Sequence, residues 1–429
     1  MDYIKQRCKQ CIWYEPSSYL AKQTGQHCTR DFPRTFTKLN CKIRPHKKAK
    51  WRDAFIQSNF KELPYTPIEG LEQMDKQERL DAIKALMKKE QKKAENKGSE
   101  MIFGTVDDLP ETFRSIQQQP LDYPLFDKWS NGGLPKGGTI TFTGAPSVGK
   151  TSTALMLVAA YQRQDKTVMF VNYEGTFDEK WAQTLGVNTE ELILVQPDTL
   201  EDGLNSIENI VKEGVLDAVV LDSLDAAAAR ASLHKKGSKG KPGVARDIDD
   251  ANIALKPRAL SEWFPRVQLA FRKYGTAFII IAQQRIQMSG IMAYQGMSGG
   301  NALKHNNILN ITMSRKNAKE DLVIKDESVA YKMNLKVTKA KYSGLRDGDI
   351  LETYFFHDQG FNKEYELVAM SLDGSLAGPL VGGHSSCVYT DKDGTEHKIR
   401  GAKPGTVYSA LMEKDLFEDF LEQTDLATV

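Results

Sequence analysis

Thr139-Ile-Thr-Phe-Thr-Gly144-Ala145-Pro146-Ser147-Val148-Gly149-Lys150-Thr151, continuing into Ser-Thr-Ala-Leu-Met-Leu-Val-Ala-Ala-Tyr-Gln162, decides the fold. It starts as an apolar β segment, tightens through two glycines and runs on into an apolar helix. Residues 144–151 fit G-x-x-x-x-G-K-[ST] at every fixed position, in the strand–turn–helix setting that the pattern requires. Gly144 and Gly149 let the backbone from Ala145 through Pro146, Ser147 and Val148 curl around phosphate oxygens. The helix N-terminus adds partial positive charge. Lys150 then reaches the outer phosphates, and the Thr151 hydroxyl is a magnesium ligand. An ordinary strand-to-helix turn gives no reason for Lys and Thr to fall in that register.

On the C-terminal side, further short apolar strands alternate with helical stretches: TVMFVNYE (167–174), LILVQP (192–197), DAVVLDS (217–223) and FIIIAQQ (278–284). Nearly continuous apolar strands separated by helices predict an α/β fold with a mostly parallel sheet covered on both faces. In such sheets ligands gather at the C-terminal strand edges. Three polar residues end strands there. Asp222 has the position of a magnesium-holding carboxylate. Glu174 is placed to orient water against the γ-phosphate. Gln283 is an amide able to sense that phosphate. Each alone is a common way to end a strand; together with the glycine loop they form a nucleotide site.

The chain has 429 residues, 40% hydrophobic and 27% charged, which excludes collagen-like, wholly disordered and disulfide-scaffold classes. No apolar run approaches the roughly 20 residues of a membrane span, and the opening MDYIKQRCKQ lacks a signal-peptide core, so a cytoplasmic location is expected. The net charge of +2 hides a segregation. Residues 1–60 carry a net +9 and the remainder −7. The basic segment also holds Cys8, Cys11, Cys28 and Cys41, spaced C-x2-C-x16-C-x12-C. Without a secretory context, thiols so grouped favour structural zinc over disulfides; His27 or His46 is an alternative ligand. The rival reading is four unconnected thiols in a basic arm. Aromatic residues such as Trp13, Tyr14 and Phe36 interleave with Arg and Lys there. That suits a nucleic-acid surface, or else a mini-core around the metal.

Four segments follow: a basic four-cysteine zinc module (1–60), an amphipathic helix with linker (61–105), the ATPase core (106–355) and a small α+β C-terminal domain (356–429). Leu71, Met74, Leu80, Ile83, Leu86 and Met87 recur at helical spacing. Beyond residue 330, YKMNLKVTK and GDILETYFFH alternate as antiparallel strands do, and 404–423 is helical.

With these residues in view, the chain resembles the RecA family of recombinases, including its phage UvsX-like branch, from about residue 77 to the C-terminus. GGLPKGGTITFTGAPSVGKT is similar to the family's lead-in and P-loop. EGTFDEKWAQTLGV (174–187) resembles the segment with the catalytic glutamate; the match implies Glu174 as base, Trp181 stacked on adenine and Asp178 at the base edge. KVTKAK (336–341) resembles the strand whose lysines, Lys339 and Lys341, reach the ATP of a neighbouring subunit. GGNALKH, with Gly299, Gly300 and Asn301, resembles the motif closing the second DNA-binding loop. ENKGSEMIFGTVDD (95–108) is similar to the link after an oligomerisation helix.

The resemblance implies two DNA-binding loops, around 230–258 and 285–300. The first is glycine-rich and cationic, with Lys235, Lys236, Lys239, Lys241, Arg246, Lys256 and Arg258. The second offers Arg285 to phosphate and Met288, Ile291 or Met292 as apolar wedges. The cysteine module, the longer basic first loop and the unusual second loop depart from the family's bacterial pattern.

The expected function is an ATP-, Mg2+- and Zn2+-containing recombinase. It would bind single- and double-stranded DNA, assemble with itself into filaments or rings, and work beside a single-strand-binding protein or loader. The alternatives are a hexameric helicase or branch-migration motor of the radA/Sms type, for which no KNRFG-like motif is found, and a non-catalytic mediator, which an intact Glu174 argues against.

Overall fold

The computed structural model describes residues 75–98, 101–230, 255–289, 292–297, 299–383 and 385–424, in two compact units, residues 1–99 and 100–429. Cys8, Cys11, Cys28 and Cys41, the lysines at 235, 236, 239 and 241, Arg246 and Ile291 lie outside the described residues. In the first unit, α1 (Lys76–Glu95) carries Leu80, Ile83, Leu86 and Met87 of the expected helical stripe, while Leu71 and Met74 lie outside the described residues. It starts at a reciprocal cap: Glu78 N–H donates to Asp75 Oδ1 (2.8 Å) and Asp75 N–H to Glu78 Oε2 (3.0 Å). None of its residues is buried, and Ile83 and Leu86 are exposed.

The second unit is built on an 11-stranded sheet. Its strands are β1 (Thr139–Gly144), β2 (Val168–Asn172), β3 (Ile193–Val195), β4 (Ala218–Asp222), β5 (Ala277–Ser289), β6 (Met292–Met297), β7 (Asn307–Arg315), β8 (Leu322–Ile324), β9 (Glu327–Ala340), β10 (Ile350–Phe356) and β11 (Gly360–Phe361). The spatial order is β11-β10-β9-β7-β1-β5-β4-β2-β3, with β8 on β9 and β6 on β5. The run from β7 to β3 is parallel, and every other pairing is antiparallel.

The parallel strands are apolar on both faces because each face has its own core. Ile140, Phe142, Val168, Phe170, Val220, Ile279 and Ile281 point into one cluster; Met169, Val171, Val219, Leu221, Phe278 and Ile280 point into the other. The first cluster receives α3 (Lys150–Gln162), buried almost all round, which explains its lack of a polar stripe. It follows α2 (Pro124–Trp129) in the chain. The second receives α5 (Leu200–Lys212), where Leu200, Leu204, Ile207 and Val211 form the inner stripe, and α6 (Leu255–Tyr274). The short α4 (Glu179–Thr184) lies between β2 and β3 in the chain.

Two segments differ from the sequence expectation. The second loop region is not irregular at its flanks: β5 runs on past the sheet edge to Ser289 and pairs antiparallel with β6, Gln284 opposite Met297 and Ser289 opposite Met292. The alternation in Arg285-Ile-Gln-Met-Ser is strand-compatible despite the surrounding glycines. The first loop also ends earlier than residue 258, because α6 begins at Leu255 and takes in Lys256 and Arg258.

After α7 (Gly300–Asn306) and the antiparallel strands, α8 (Lys363–Leu372), α9 (Pro404–Glu413) and α10 (Phe417–Gln423) pack with a three-stranded sheet, β12 (Leu380–Gly382), β13 (Ser386–Thr390) and β14 (Glu396–Arg400). Their shared core takes Leu322, Ala330 and Phe356 from the large sheet. No described helix is long and apolar enough to cross a membrane.

Glu366 of α8 is buried and accepts the Leu125 N–H at the start of α2 (3.0 Å). Burial pushes its carboxyl from 4.5 up to about 8. The folded state therefore holds a proton that the unfolded chain has lost, so this contribution is complete below pH 4.5 and falls away as pH rises through 8. The thermal midpoint of Glu366→Gln should decline less between pH 5 and 8 than the wild type's, as parallel melting curves would show; identical slopes would refute this.

Candidate functional site

The site is assembled at the C-terminal edge of β1, β2, β4 and β5. Gly144 ends β1 opposite Gln283 of β5 and Met313 of β7. A Cβ at residue 144 would lie 2.6 Å from the Met313 carbonyl oxygen, so the close approach of β7 demands glycine. Gly149 sits at the helix entry with φ +85°, against Tyr331 Oη and Phe355. Tyr331 is itself braced, stacked on Phe355 (5.4 Å between centroids), with the Arg315 guanidinium 4.7 Å from its ring centre. The loop that leads from Gly144 through Ala145, Pro146 and Ser147 to Gly149 is therefore held from behind, while Ala145, Pro146 and Ser147 are exposed on the outer side. Val148 is buried beneath it.

Lys150 is a buried ammonium whose Nζ donates to the Ala145 carbonyl (2.7 Å). Burial pulls its pKa below the usual lysine value, opposed by the charges of Glu174, Asp222 and Asp225. The negative charges of three carboxylates thus act on one cation. Asp222 is almost fully buried, and its Oδ1 has no hydrogen-bond partner. Burial pushes its carboxyl up to about 6 against the opposing pull of the Thr151 hydroxyl. An orphaned carboxylate oxygen next to a threonine hydroxyl is a donor set that fits a hard divalent cation, which takes oxygen ligands.

Glu174 stands two residues beyond β2, with its N–H donated to Asn172 Oδ1 (3.1 Å). Its Oε1 accepts the Ser223 hydroxyl (2.8 Å). Gln283 donates its N–H to Asp225 Oδ2 (2.6 Å). Sequence reasoning missed Ser223 and Asp225. The doubled acid in Leu-Asp222-Ser-Leu-Asp225 was the available signal.

Trp181 and Asp178 are brought to the same edge by α4. Asp178 is the N-cap, its Oδ1 accepting the Trp181 N–H (3.0 Å), so one carboxylate oxygen already has a structural partner. The Trp181 indole N–H donates to Ser152 Oγ on α3 (3.0 Å), which fixes the ring beside the phosphate loop.

Lys339 and Lys341 lie elsewhere. Lys339 near the end of β9 and Lys341 just past it donate to carbonyls in the last turn of α7, those of Lys304 and His305. A shift in register between Val337 and Lys339 re-aims this end of the strand. Burial and the neighbouring Lys341 charge lower Lys339 to about 8. Gly299 (φ +97°) caps the other end of α7, where a Cβ would meet Leu303 and Leu224 at 2.9 and 3.0 Å. Gly300 faces Pro257, and Asn301 is exposed.

Of the expected DNA-contacting residues, Arg258 is exposed and paired with Glu262 one turn away (3.0 Å). The Lys256 Nζ is directed inward, to the carbonyls of Leu224 (3.0 Å) and Asp225 (2.6 Å). Arg285, Met288 and Met292 belong to the β5–β6 hairpin. Among the described residues no group of three or more His, Cys, Asp or Glu forms a metal cluster.

The family model for the RecA N-terminal domain matches residues 81–354, well over half of the chain. The chain belongs to the RecA family. Protein RecA from Latilactobacillus sakei is 30% identical over 301 residues, covering 70% of this chain and 79% of that protein. Protein RecA from Deinococcus radiodurans is 30% identical over 302 residues, covering 70% and 77%. The RecA family match includes β1 through most of β10 and hence the whole edge described above.

Gly149→Ala tests how tightly the loop is held. A left-handed alanine costs about 1–2 kcal/mol, and its Cβ would lie 2.8 Å from Tyr331 Oη. A lowered thermal midpoint together with weakened binding of a fluorescent ATP analogue is expected. Wild-type values for both would contradict the bracing.

Proposed function

We propose that this RecA-family chain is a DNA-dependent ATPase that forms filaments on single-stranded DNA and promotes homologous pairing and strand exchange with duplex DNA. The observation that carries the reading is the convergence of Lys150, Asp222 and Glu174 at one strand edge, with Ser223 bonded to the glutamate. ATP is the substrate. Its phosphates would lie against the backbone N–H groups of residues 144–151 and the N-terminus of α3. Lys150 would exchange its Ala145 carbonyl for phosphate oxygens. Glu174 would take the proton of the attacking water, held in orientation by Ser223. Trp181 supplies an aromatic face for the base. Thr151 and Asp222 would hold Mg2+, which when bound neutralises charge building on the phosphates.

Lys339 and Lys341 are exposed enough at their rim to serve a neighbouring subunit, so turnover would require assembly. Gln283 lies between the phosphate loop and the β5–β6 hairpin and is suited to report nucleotide state to the second DNA-binding segment. Reciprocal linkage follows: nucleotide tightens DNA binding, and DNA favours the competent site.

The finer assignments rest on sequence. They are the phage-type UvsX-like branch, the four-segment division at 60, 105 and 355, a cytoplasmic location and a single-strand-binding or loader partner. They also include a zinc ion on Cys8, Cys11, Cys28 and Cys41. Metal analysis of the purified full chain should return about one zinc per chain, as expected for one four-thiolate site; a metal-free protein would remove that module from the reading.

The central test is ATP hydrolysis with and without single-stranded DNA, combined with electron microscopy. DNA-stimulated turnover and helical filaments are expected. Closed rings would favour the motor, and nucleotide binding without turnover the mediator. Lys150→Ala should abolish turnover with the fold intact by circular dichroism. Glu174→Gln should lower kcat by about 10²–10⁴ while leaving ATP binding in place; full activity in either variant would sink the active-site assignment.

A further inference from the structure

Four separate parts of the chain meet the short segment that follows Asp222. Its first residue, Ser223, donates to Glu174 Oε1 (2.8 Å). The next, Leu224, donates its N–H to the Ile281 carbonyl of β5 (2.9 Å) and packs where Gly299 leaves room at the start of α7. The third, Asp225, accepts the Gln283 N–H (2.6 Å). Lys256, near the start of α6, spans the carbonyls of both Leu224 and Asp225 (3.0 and 2.6 Å).

The geometry points to Lys256 as a positioning residue for the candidate base Glu174, acting through Ser223 rather than through contact with DNA. A serine hydroxyl orients a carboxylate only if its own backbone is fixed, and the residues after Ser223 lie outside any helix or strand. Two charge-assisted hydrogen bonds from one ammonium to successive carbonyls remove the rotation that this segment would otherwise have. Those two bonds take up two of the three ammonium donors. General-base catalysis depends steeply on such alignment. In the chain, Lys256 follows the cationic stretch and Gln283 directly precedes the β5–β6 hairpin. Chain neighbours of both proposed DNA-binding segments therefore bind the residues that follow Ser223.

This inference rests on the assignment of Glu174 as base, and the two are separable. Full-length Lys256→Met, Lys256→Arg, Ser223→Ala and Glu174→Gln would be compared for ATP hydrolysis at saturating single-stranded DNA, and for oligonucleotide affinity as a function of salt. If Lys256 positions the base, Lys256→Met lowers kcat roughly 10–100-fold with KM for ATP and the salt slope of DNA binding unchanged. Lys256→Arg, which still offers two donors, recovers most of the rate. Ser223→Ala in the Lys256→Met background then adds little, because both changes release the same carboxylate. The proposal is overturned if Lys256→Met reduces the salt slope by about one unit, the signature of a lost phosphate contact, and leaves kcat intact. It is also overturned if Lys256→Arg is as slow as Lys256→Met, which would indicate a packing defect. If Glu174→Gln itself turns over at the wild-type rate, the base assignment fails and this proposal with it. An impaired Glu174→Gln beside an active Lys256→Met removes the positioning role alone.

Discussion

The chemistry of this chain hangs on a charge taken out of water. Asp222 ends a strand that is buried on both faces, and one of its oxygens is left without a hydrogen-bond partner. An isolated buried carboxylate is costly, and its raised pKa expresses that cost. The nearby Lys150 ammonium is also desolvated and is stabilised by the same carboxylates. A magnesium ion at Asp222 and the phosphates of ATP at Lys150 would offset both costs.

The sheet is what allows this arrangement to form. The phosphate-loop strand β1 is central, with parallel neighbours on both sides, so every strand that delivers a polar residue ends at the same edge. The antiparallel strands on one flank carry the C-terminal helices. They also supply Tyr331 and Phe355, which support the loop from behind. The residues that fix the loop's shape thus come from strands far along the chain, and they would not touch a ligand themselves.

Much of this was legible in the sequence. The parallel strands were readable because burial on both faces leaves an unbroken apolar run, and the phosphate loop because its fixed residues answer to backbone geometry. Glu174, Asp222 and Gln283 followed from where apolar runs stop. The hairpin at 284–297 was not legible: glycine, methionine and glutamine look like loop, and only the pairing reveals the strands. Nor was the inward turn of Lys256, since a lysine in a basic stretch reads as solvated until the carbonyls it reaches are known. Ser223 escaped for a similar reason. A serine after a strand is ordinary, and its importance comes from Glu174, which lies 49 residues earlier in the chain. Asp178 shows the reverse case, a residue assigned to a ligand that also serves as a helix cap.

Helix α7 has seven residues, which makes it about 10 Å long. Its two ends belong to different neighbourhoods: the glycine end packs on Leu224 and Pro257, and the carbonyl end holds Lys339 and Lys341. A helix this short does not stretch or bend appreciably under small loads, so it acts as a strut. One short rod thus touches the segment beside Asp222 at its first residue and the two ammonium groups at its last turn, so the same seven residues border both neighbourhoods.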